Sequence, residues 1–319
     1  MSNIIEELKV KISNKGLRIV FPESNDERIL EAAKKLGREG LLQPVLIGKK
    51  SLLIEHDLVG CEVIDPKEYA DFDLMVNAFV ERRKGKATIE DAKTLLLDEN
   101  YFGTMLIYMK KADGLVSGAC HSTSDTVRPA LQIIKTKPGI SKTFGYFLMV
   151  RENEKYIFGD CAINPNPTAE NLAEFAIESS KAAEMFGIHP KVAMLSFSTN
   201  GSADTEETEK VVLATKLAKE MNSKYDIDGE MQFDAAFVPS VGKQKYKGSN
   251  VAGQANTFIF PDLNSGNIGY KIAQRLGGFD ALGPILAGLN SPVNDLSRGC
   301  SSEDAYNTAI ITASQALIK

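Results

Sequence analysis

The first thirty residues contain no unbroken apolar stretch, because charges at Glu6, Glu7, Lys9, Lys11, Lys15 and Arg18 interrupt every short hydrophobic run. A signal peptide needs a continuous apolar segment and a spanning helix needs about twenty apolar residues. Neither is there, so the chain is expected in the cytoplasm, away from membranes. Cysteines are few and isolated: Cys61, Cys120, Cys161 and Cys300 form no C-x-x-C pair. Their spacing argues against a zinc site and a disulfide framework, and free thiols are expected. Positive charge is not in excess either, with Lys+Arg at 37 against Asp+Glu at 42 and a net charge of −5. A nucleic-acid partner would require a basic face. An anionic ligand must therefore be held by a few local arginines or by backbone amides.

Two phosphate signatures are also missing. No G-x-x-x-x-G-K-[ST] occurs, and no G-x-G-x-x-G follows a predicted strand, so neither a nucleoside-triphosphate loop nor a dinucleotide fingerprint is present. Internal repeats, low-complexity tracts and Pro-rich linkers are absent as well. What remains is a chain of 319 residues, 43% hydrophobic and 25% charged, large enough for one or two globular domains.

Short apolar runs alternate with helical patterns, the mark of a mostly parallel sheet covered by helices. Strands are expected at 17–21, 44–47, 62–64 and 114–119, and helices at 73–84, 89–97 and 101–110. Ser24 and Glu27 are spaced as a capping box for the helix after the first strand. Residues 144–150 and 155–158 flank a short polar turn and read as a hairpin. A second series follows, with strands at 192–197, 235–238, 257–260 and 282–287 and helices at 169–186 and about 303–317. The expected architecture is α/β, with two α/β domains, mostly parallel sheets and a cleft between them. The boundary rests on Pro138-Gly139 and the hairpin.

Ligands of such sheets bind beyond the carboxyl ends of strands. Three loops there carry chemistry. The first reads Cys120-His121-Ser122-Thr123-Ser124-Asp125-Thr126, with Arg128 in the next turn, and its hydroxyls and guanidinium suit an oxyanion. It equally fits an ST-rich helix cap. The second, Ser198-Thr199-Asn200-Gly201-Ser202, has phosphate-loop character. The third joins Ser297, Arg298 and Asp304 near the last helix, although Ser301 and Asp304 also have capping-box spacing. Spacing does not choose there between cap and catalyst.

The segments GLVSGACHSTSDTVRPALQIIKTKPG, FGDCAINPNPTAENLAEFA, LSFSTNGSA, GSNVAGQANTFIFPDLNSGNIGYK and LNSPVNDLSRGCSSED run over most of the chain. Together they resemble the short form of phosphate acetyltransferase, or phosphotransacetylase. The resemblance implies a fold similar to isocitrate and isopropylmalate dehydrogenases, with a first domain of 1–140 plus 298–319, to which the C-terminal helix returns, and a second of 141–297. It implies a homodimer, no metal or other cofactor, and coenzyme A with acetyl phosphate or phosphate as substrates. Carried over to this sequence, it makes Ser297, Arg298 and Asp304 the catalytic residues. Arg128 and Arg83 are further anion-binding arginines, and Ser122, Thr123, Asn200 and Gly201 are candidate substrate contacts.

The chemistry suits those residue types. Guanidinium groups hold oxyanions bidentately and offset the charge on departing phosphate. Asp304 is the candidate base for the coenzyme thiol, and Ser297 a candidate donor to the carbonyl oxygen. The resemblance implies direct transfer in a ternary complex. A route through an acyl-enzyme would point to Cys161, for which no histidine is an obvious base. The alternative substrate reading is a phosphate butyryltransferase; an NAD(P)-dependent dehydrogenase of similar fold and a non-catalytic acyl-coenzyme A sensor are readings from other classes.

Overall fold

The computed structural model describes residues 2–52 and 56–318. They divide into two units: a terminal unit with the described residues up to Lys137 and from Leu289 onward, and a central unit, Pro138–Gly288.

In the terminal unit, the apolar runs of β1 (Arg18–Phe21), β2 (Gln43–Ile47) and β4 (Gly114–Ser117) are buried almost throughout. With β3 (Glu62–Ile64) and β11 (Val293–Asp295) they form one sheet, ordered β11-β4-β1-β2-β3, in which every pairing is parallel. Parallel neighbours need crossover connections, and helices supply the cover. Val20, Phe79, Phe102, Met105, Leu115 and Val293 share one core on the sheet's surface. α1 (Ser2–Ile12) and α2 (Glu27–Glu39) pack with the last helix, α12 (Ser302–Ala316), which also covers β4.

Two local expectations give way here. Asp26, not Ser24, caps α2, its side chain accepting from the Arg28 amide. Ser24 is buried and its hydroxyl donates to the Ile47 carbonyl, tying the end of β1 to the end of β2. β11, with the sequence Val-Asn-Asp, has no apolar run to announce it. Its pairing with β4, Asp295 opposite Ser117, draws residues 289–297 into the terminal unit, although the sequence had assigned them to the second domain.

The central unit holds a six-stranded sheet ordered β10-β5-β6-β9-β7-β8. β5 (Phe144–Arg151) and β6 (Glu154–Gly159) form the expected hairpin about Glu152, whose φ of 53° makes the tight turn. β10 (Asp280–Ala287) joins antiparallel, whereas β7 (Lys191–Leu195), β8 (Asp226–Met231) and β9 (Thr257–Ile259) run parallel with β6. α7 (Ala169–Met185) is buried nearly all round, with Phe175 stacked 4.5 Å from Phe144. α8 (Glu206–Met221) follows β7. The strand expected at 235–238 is instead the helix α9 (Phe233–Phe237), since a short apolar run fits either element, and Pro239 then opens α10 (Pro239–Lys245). In this unit the strand that sequence reasoning missed is β8. Its charges hid it: Asp228 accepts from Lys219 and Tyr246, and Glu230 is buried.

α11 (Leu263–Arg275) approaches the end of β6 so closely that a Cβ on Gly266 would lie 2.2 Å from the Asp160 carbonyl oxygen. Gly266→Ala must push the helix off that loop. We expect a loss of about 1–3 kcal/mol, read as a lower urea midpoint at unchanged m-value. An unchanged midpoint would mean that the helix moves without cost.

Candidate active site

Three loops at the carboxyl ends of β1, β4 and β11 meet in the terminal unit. Glu23, from the first loop, is only 3% exposed. Its Oε2 accepts from the amides of Gly118 and Ala119 at 2.9 and 2.8 Å, and its Oε1 from those of Cys120 and His121 at 2.7 and 2.8 Å. The His121 ring adds Nδ1 at 2.8 Å from Oε1. A buried carboxylate is tolerable only when it is fully hydrogen-bonded, and here the loop after β4 folds around it. The same bonds occupy the amides that might otherwise have held an anion.

Arg28 joins all three loops. Its Nε and Nη2 donate to Asp26, Nη2 also donates to the Ala119 carbonyl at 2.9 Å, and Nη1 donates to the carbonyls of Arg298 and Cys300 at 2.8 and 3.0 Å. Asp26 is held well below the usual carboxylate range, first by its bond to Arg28. The planar fork of one guanidinium thus sets the backbone around the Arg298 side chain.

The third loop positions the predicted residues in sequence. Ser297 is exposed, and its Oγ accepts from the Gly299 amide at 3.2 Å. Arg298 is exposed, and its guanidinium makes no ion pair among the described residues. Asp304 completes a capping box: its Oδ2 accepts from the amide and the hydroxyl of Ser301, both at 2.8 Å. The cap is therefore real, and it engages one carboxylate oxygen.

In the loop after β4, Ser122 donates to Asp125 at 2.7 Å and Thr123 donates to Asp295 at 2.6 Å, so both hydroxyl protons are spent within the protein. Arg128 lies on the short helix α6 (Thr123–Pro129), with Nη2 on the Ser124 hydroxyl at 3.1 Å. Of the adjacent arginines ending α3 (Phe72–Arg83), Arg82 donates to the carbonyls of Ile133 and Ile134 and lies over the Tyr108 ring. Arg83 has no such partner among the described residues. Arg83 and Arg128 come together at Tyr101, on α5 (Glu99–Tyr108): burial raises that phenol's pKa, and the two guanidinium charges oppose the rise. Arg18, Arg38 and Arg151 each face a carboxylate. Among the described residues Arg83, Arg128 and Arg298 form no such pair, nor do the carbonyl-bound Arg82 and, in the central unit, Arg275.

Asn200 and Gly201 belong to the central unit, in the loop after β7. Asn200 takes a φ of 49°, and the Gly201 amide donates to the buried Glu230 at 2.8 Å. Cys161 is fully buried, and burial pushes its thiol well above the usual range, which leaves no ready nucleophile there. Among the described residues no cluster of three or more His, Cys, Asp or Glu could hold a metal ion, and no helix is long and apolar enough to cross a membrane.

Sequence reasoning passed over Glu23, Arg28 and Asp295. Asp295 is buried at the end of β11, and burial pushes its carboxyl up to about 6, reinforced by the charge of Glu23. A charged residue directly after an apolar strand was the available signal for Glu23. Nothing local marked Arg28, whose partners lie up to 272 residues away.

Fold and site define an α/β protein that keeps unpaired arginines at the carboxyl end of a parallel sheet. The model of the phosphate acetyl/butaryl transferase family matches residues 2–313, and the chain belongs to that family. It is 58% identical to a phosphate acetyltransferase of Bacillus subtilis over 99% of this chain and 100% of that one. A phosphotransacetylase structure from Streptococcus pyogenes superposes with a TM-score of 0.97 at 58% identity, covering 100% of this chain and 99% of that one. The fold extends further: a putative 4-hydroxythreonine-4-phosphate dehydrogenase from Salmonella typhimurium matches with a TM-score of 0.55 at 15% identity, covering 94% and 99% of the two chains.

Arg28→Lys keeps the charge but cannot reach three loops at once. It should lower the unfolding midpoint by a few degrees, equivalent to about 1–3 kcal/mol, and reduce turnover as the Arg298 segment loosens. Native stability together with native turnover would show that the fork is dispensable.

Proposed function

We propose that this chain transfers an acetyl group reversibly between acetyl phosphate and coenzyme A, by direct attack of the coenzyme thiolate in a ternary complex. The observation that carries the reading is the segment 297–304, where an exposed, unpaired guanidinium follows a serine whose hydroxyl proton is uncommitted and precedes a carboxylate by six residues. The chain's end-to-end likeness to phosphate acetyltransferases supports it.

In this reading Arg298 holds the phosphoryl oxygens of acetyl phosphate, while Arg128 and Arg83 hold phosphate groups of either substrate. Asp304 accepts the thiol proton. The S–C bond forms as the carbonyl carbon becomes tetrahedral, and the C–O bond to phosphate then breaks, phosphate leaving with the bonding pair and its charge met by Arg298. Full proton transfer from a thiol near pH 8.5 to an ordinary carboxylate near 3.9 is uphill by roughly 6 kcal/mol. The arginines must therefore stabilise the thiolate as the proton leaves. Ser297 donates to the carbonyl oxygen in the tetrahedral stage. Ser122, Thr123, Asn200 and Gly201 are kept as substrate contacts through lone pairs and backbone. The reading requires no metal or redox cofactor.

It places the protein in the cytoplasm, as the free thiols support, and makes it a homodimer. Ile268, Ile272 and Leu276, exposed at four-residue spacing along and just beyond α11, support the second point.

Acetyl phosphate and butyryl phosphate compared in one thiol-consumption assay test the substrate. Acetyl phosphate should be strongly preferred, and preference for butyryl phosphate would reverse the assignment. Asp304→Asn separates cap from base, since the amide oxygen can still receive the Ser301 bonds. We expect near-native stability with turnover down by on the order of 10²-fold to 10⁴-fold, partly restored at higher pH. A fully active Asp304→Asn enzyme would leave the residue a cap. Arg298→Lys should lose most turnover because the bidentate fork is gone.

A further inference from the structure

We propose that Asp295 is a positioning residue, which locks the Ser297–Arg298 segment to the helix carrying Arg128 through its bond to Thr123. The inference rests on the acetyl-transfer reading for its kinetic consequence, though not for its geometry.

Asp295 ends β11 two residues before Ser297. Its Oδ2 accepts the Thr123 hydroxyl at 2.6 Å, in the first turn of α6, where Arg128 stands five residues on. The two segments are 172 residues apart in sequence. Close packing enforces the contact. Gly118 has a φ of 114°, and a Cβ there would lie 2.5 Å from Asp295 Oδ1 and 2.5 Å from the Leu296 carbonyl oxygen. Only glycine lets β4 turn beneath this carboxylate.

The site is buried and incompletely bonded within the protein. Asp295 is 4% exposed, and its Oδ1 has no hydrogen-bond partner. The neighbouring Ser117 hydroxyl is likewise buried and unpaired, and the buried Thr126 hydroxyl lies close enough to Asp295 to favour its charged form. A carboxylate so placed depends on the Thr123 bond to remain charged, and a charge-assisted bond is about twice as strong as a neutral one. The surroundings offer no cation. α6 presents the Thr123 and Thr126 hydroxyls, β4 presents Ser117, and from the loop after β1 comes the like charge of Glu23, whose own oxygens are taken by the 118–121 amides and His121. Burial, with a smaller push from Glu23, raises Asp295 to about 6, while Thr123 and then Thr126 pull it down. Its charge, and with it the lock, is therefore lost as pH falls through that value.

Two consequences have opposite signs. Protonation weakens the lock, so turnover falls below about pH 6. The folded state, however, binds this proton more tightly than the unfolded chain, so the carboxyl makes folding more favourable as pH drops from 7 toward 5. Ordinary acid unfolding would move both in the same direction.

The test is the pH dependence of acetyl transfer from acetyl phosphate to coenzyme A, with thermal unfolding on the same samples. The wild type should show an acidic limb in kcat near pH 6. Asp295→Asn, which keeps an oxygen for Thr123 but no charge, should lose that limb and have kcat at pH 8 reduced on the order of 10-fold to 100-fold, with KM changed far less. Thr123→Val should shift the limb to higher pH, and Thr123→Ser should restore it. The unfolding midpoint of the wild type relative to Asp295→Asn should rise between pH 7 and pH 5. An Asp295→Asn enzyme with wild-type kcat and limb overturns the proposal, as does a midpoint difference that ignores pH. If Asp295→Asn does not fold, the threonine pair decides, and an unmoved limb in Thr123→Val overturns it. A wild type that transfers no acetyl group refutes the acetyl-transfer reading instead, and the unfolding comparison still judges the lock.

Discussion

A single buried carboxylate organises the site. Glu23 draws four successive amides of the loop after β4 around itself, and this bonding gives residues 118–121 their course. Removing such a group from water is costly, and several donors converging on it offset the cost. The loop is consequently built without any ligand. It is also closed to anions through its own amides. Whatever anion arrives must be met by side chains, and among the described residues Arg83, Arg128 and Arg298 are arginines of this unit with neither an ion pair nor a backbone carbonyl to hold them.

The central unit solves its own loop problem in the same way. Asp160, buried after β6, accepts from the amides of Gly145, Ala162, Ile163 and Asn164. Glu230, buried in β8, accepts from the Gly201 amide and the Ser198 hydroxyl. Loops at strand ends expose backbone donors that something must satisfy. In both units an acidic side chain does so from within. The net negative charge of the chain thus coexists with exposed, unpaired arginines, because several of its carboxylates are engaged internally.

Arg28 complements Glu23. One carboxylate shapes a single loop, whereas one guanidinium ties three together, and it sits under the backbone of Arg298 rather than beside its side chain. Arg298 can therefore remain exposed and unpaired while its backbone is fixed from below. Preorganisation of this kind is what electrostatic stabilisation of a departing phosphate requires, since donors that must first reorganise contribute little.

The sequence by itself determined the α/β class, most element positions, the capping box at Ser301, and the arginines beside strand ends. These are local matters: periodicity, cap spacing and the residues just after an apolar run act over a few positions. The motifs extended that reach to the family, and through the resemblance nominated Ser297, Arg298 and Asp304. Tertiary structure decided what depended on distant partners. β11 and β8 are strands because neighbouring strands accept them, not because their residues favour it. Residues 289–297 joined the terminal unit through pairing with β4. Arg82 and Arg83, adjacent and alike in sequence, were separated by the carbonyls of Ile133 and Ile134, which engage one and leave the other free. Arg28 and Asp295 carry no local signal of their roles, and Glu23 only its place just after an apolar strand, since a carboxylate's or a guanidinium's role is set by what the fold brings within 3 Å of it.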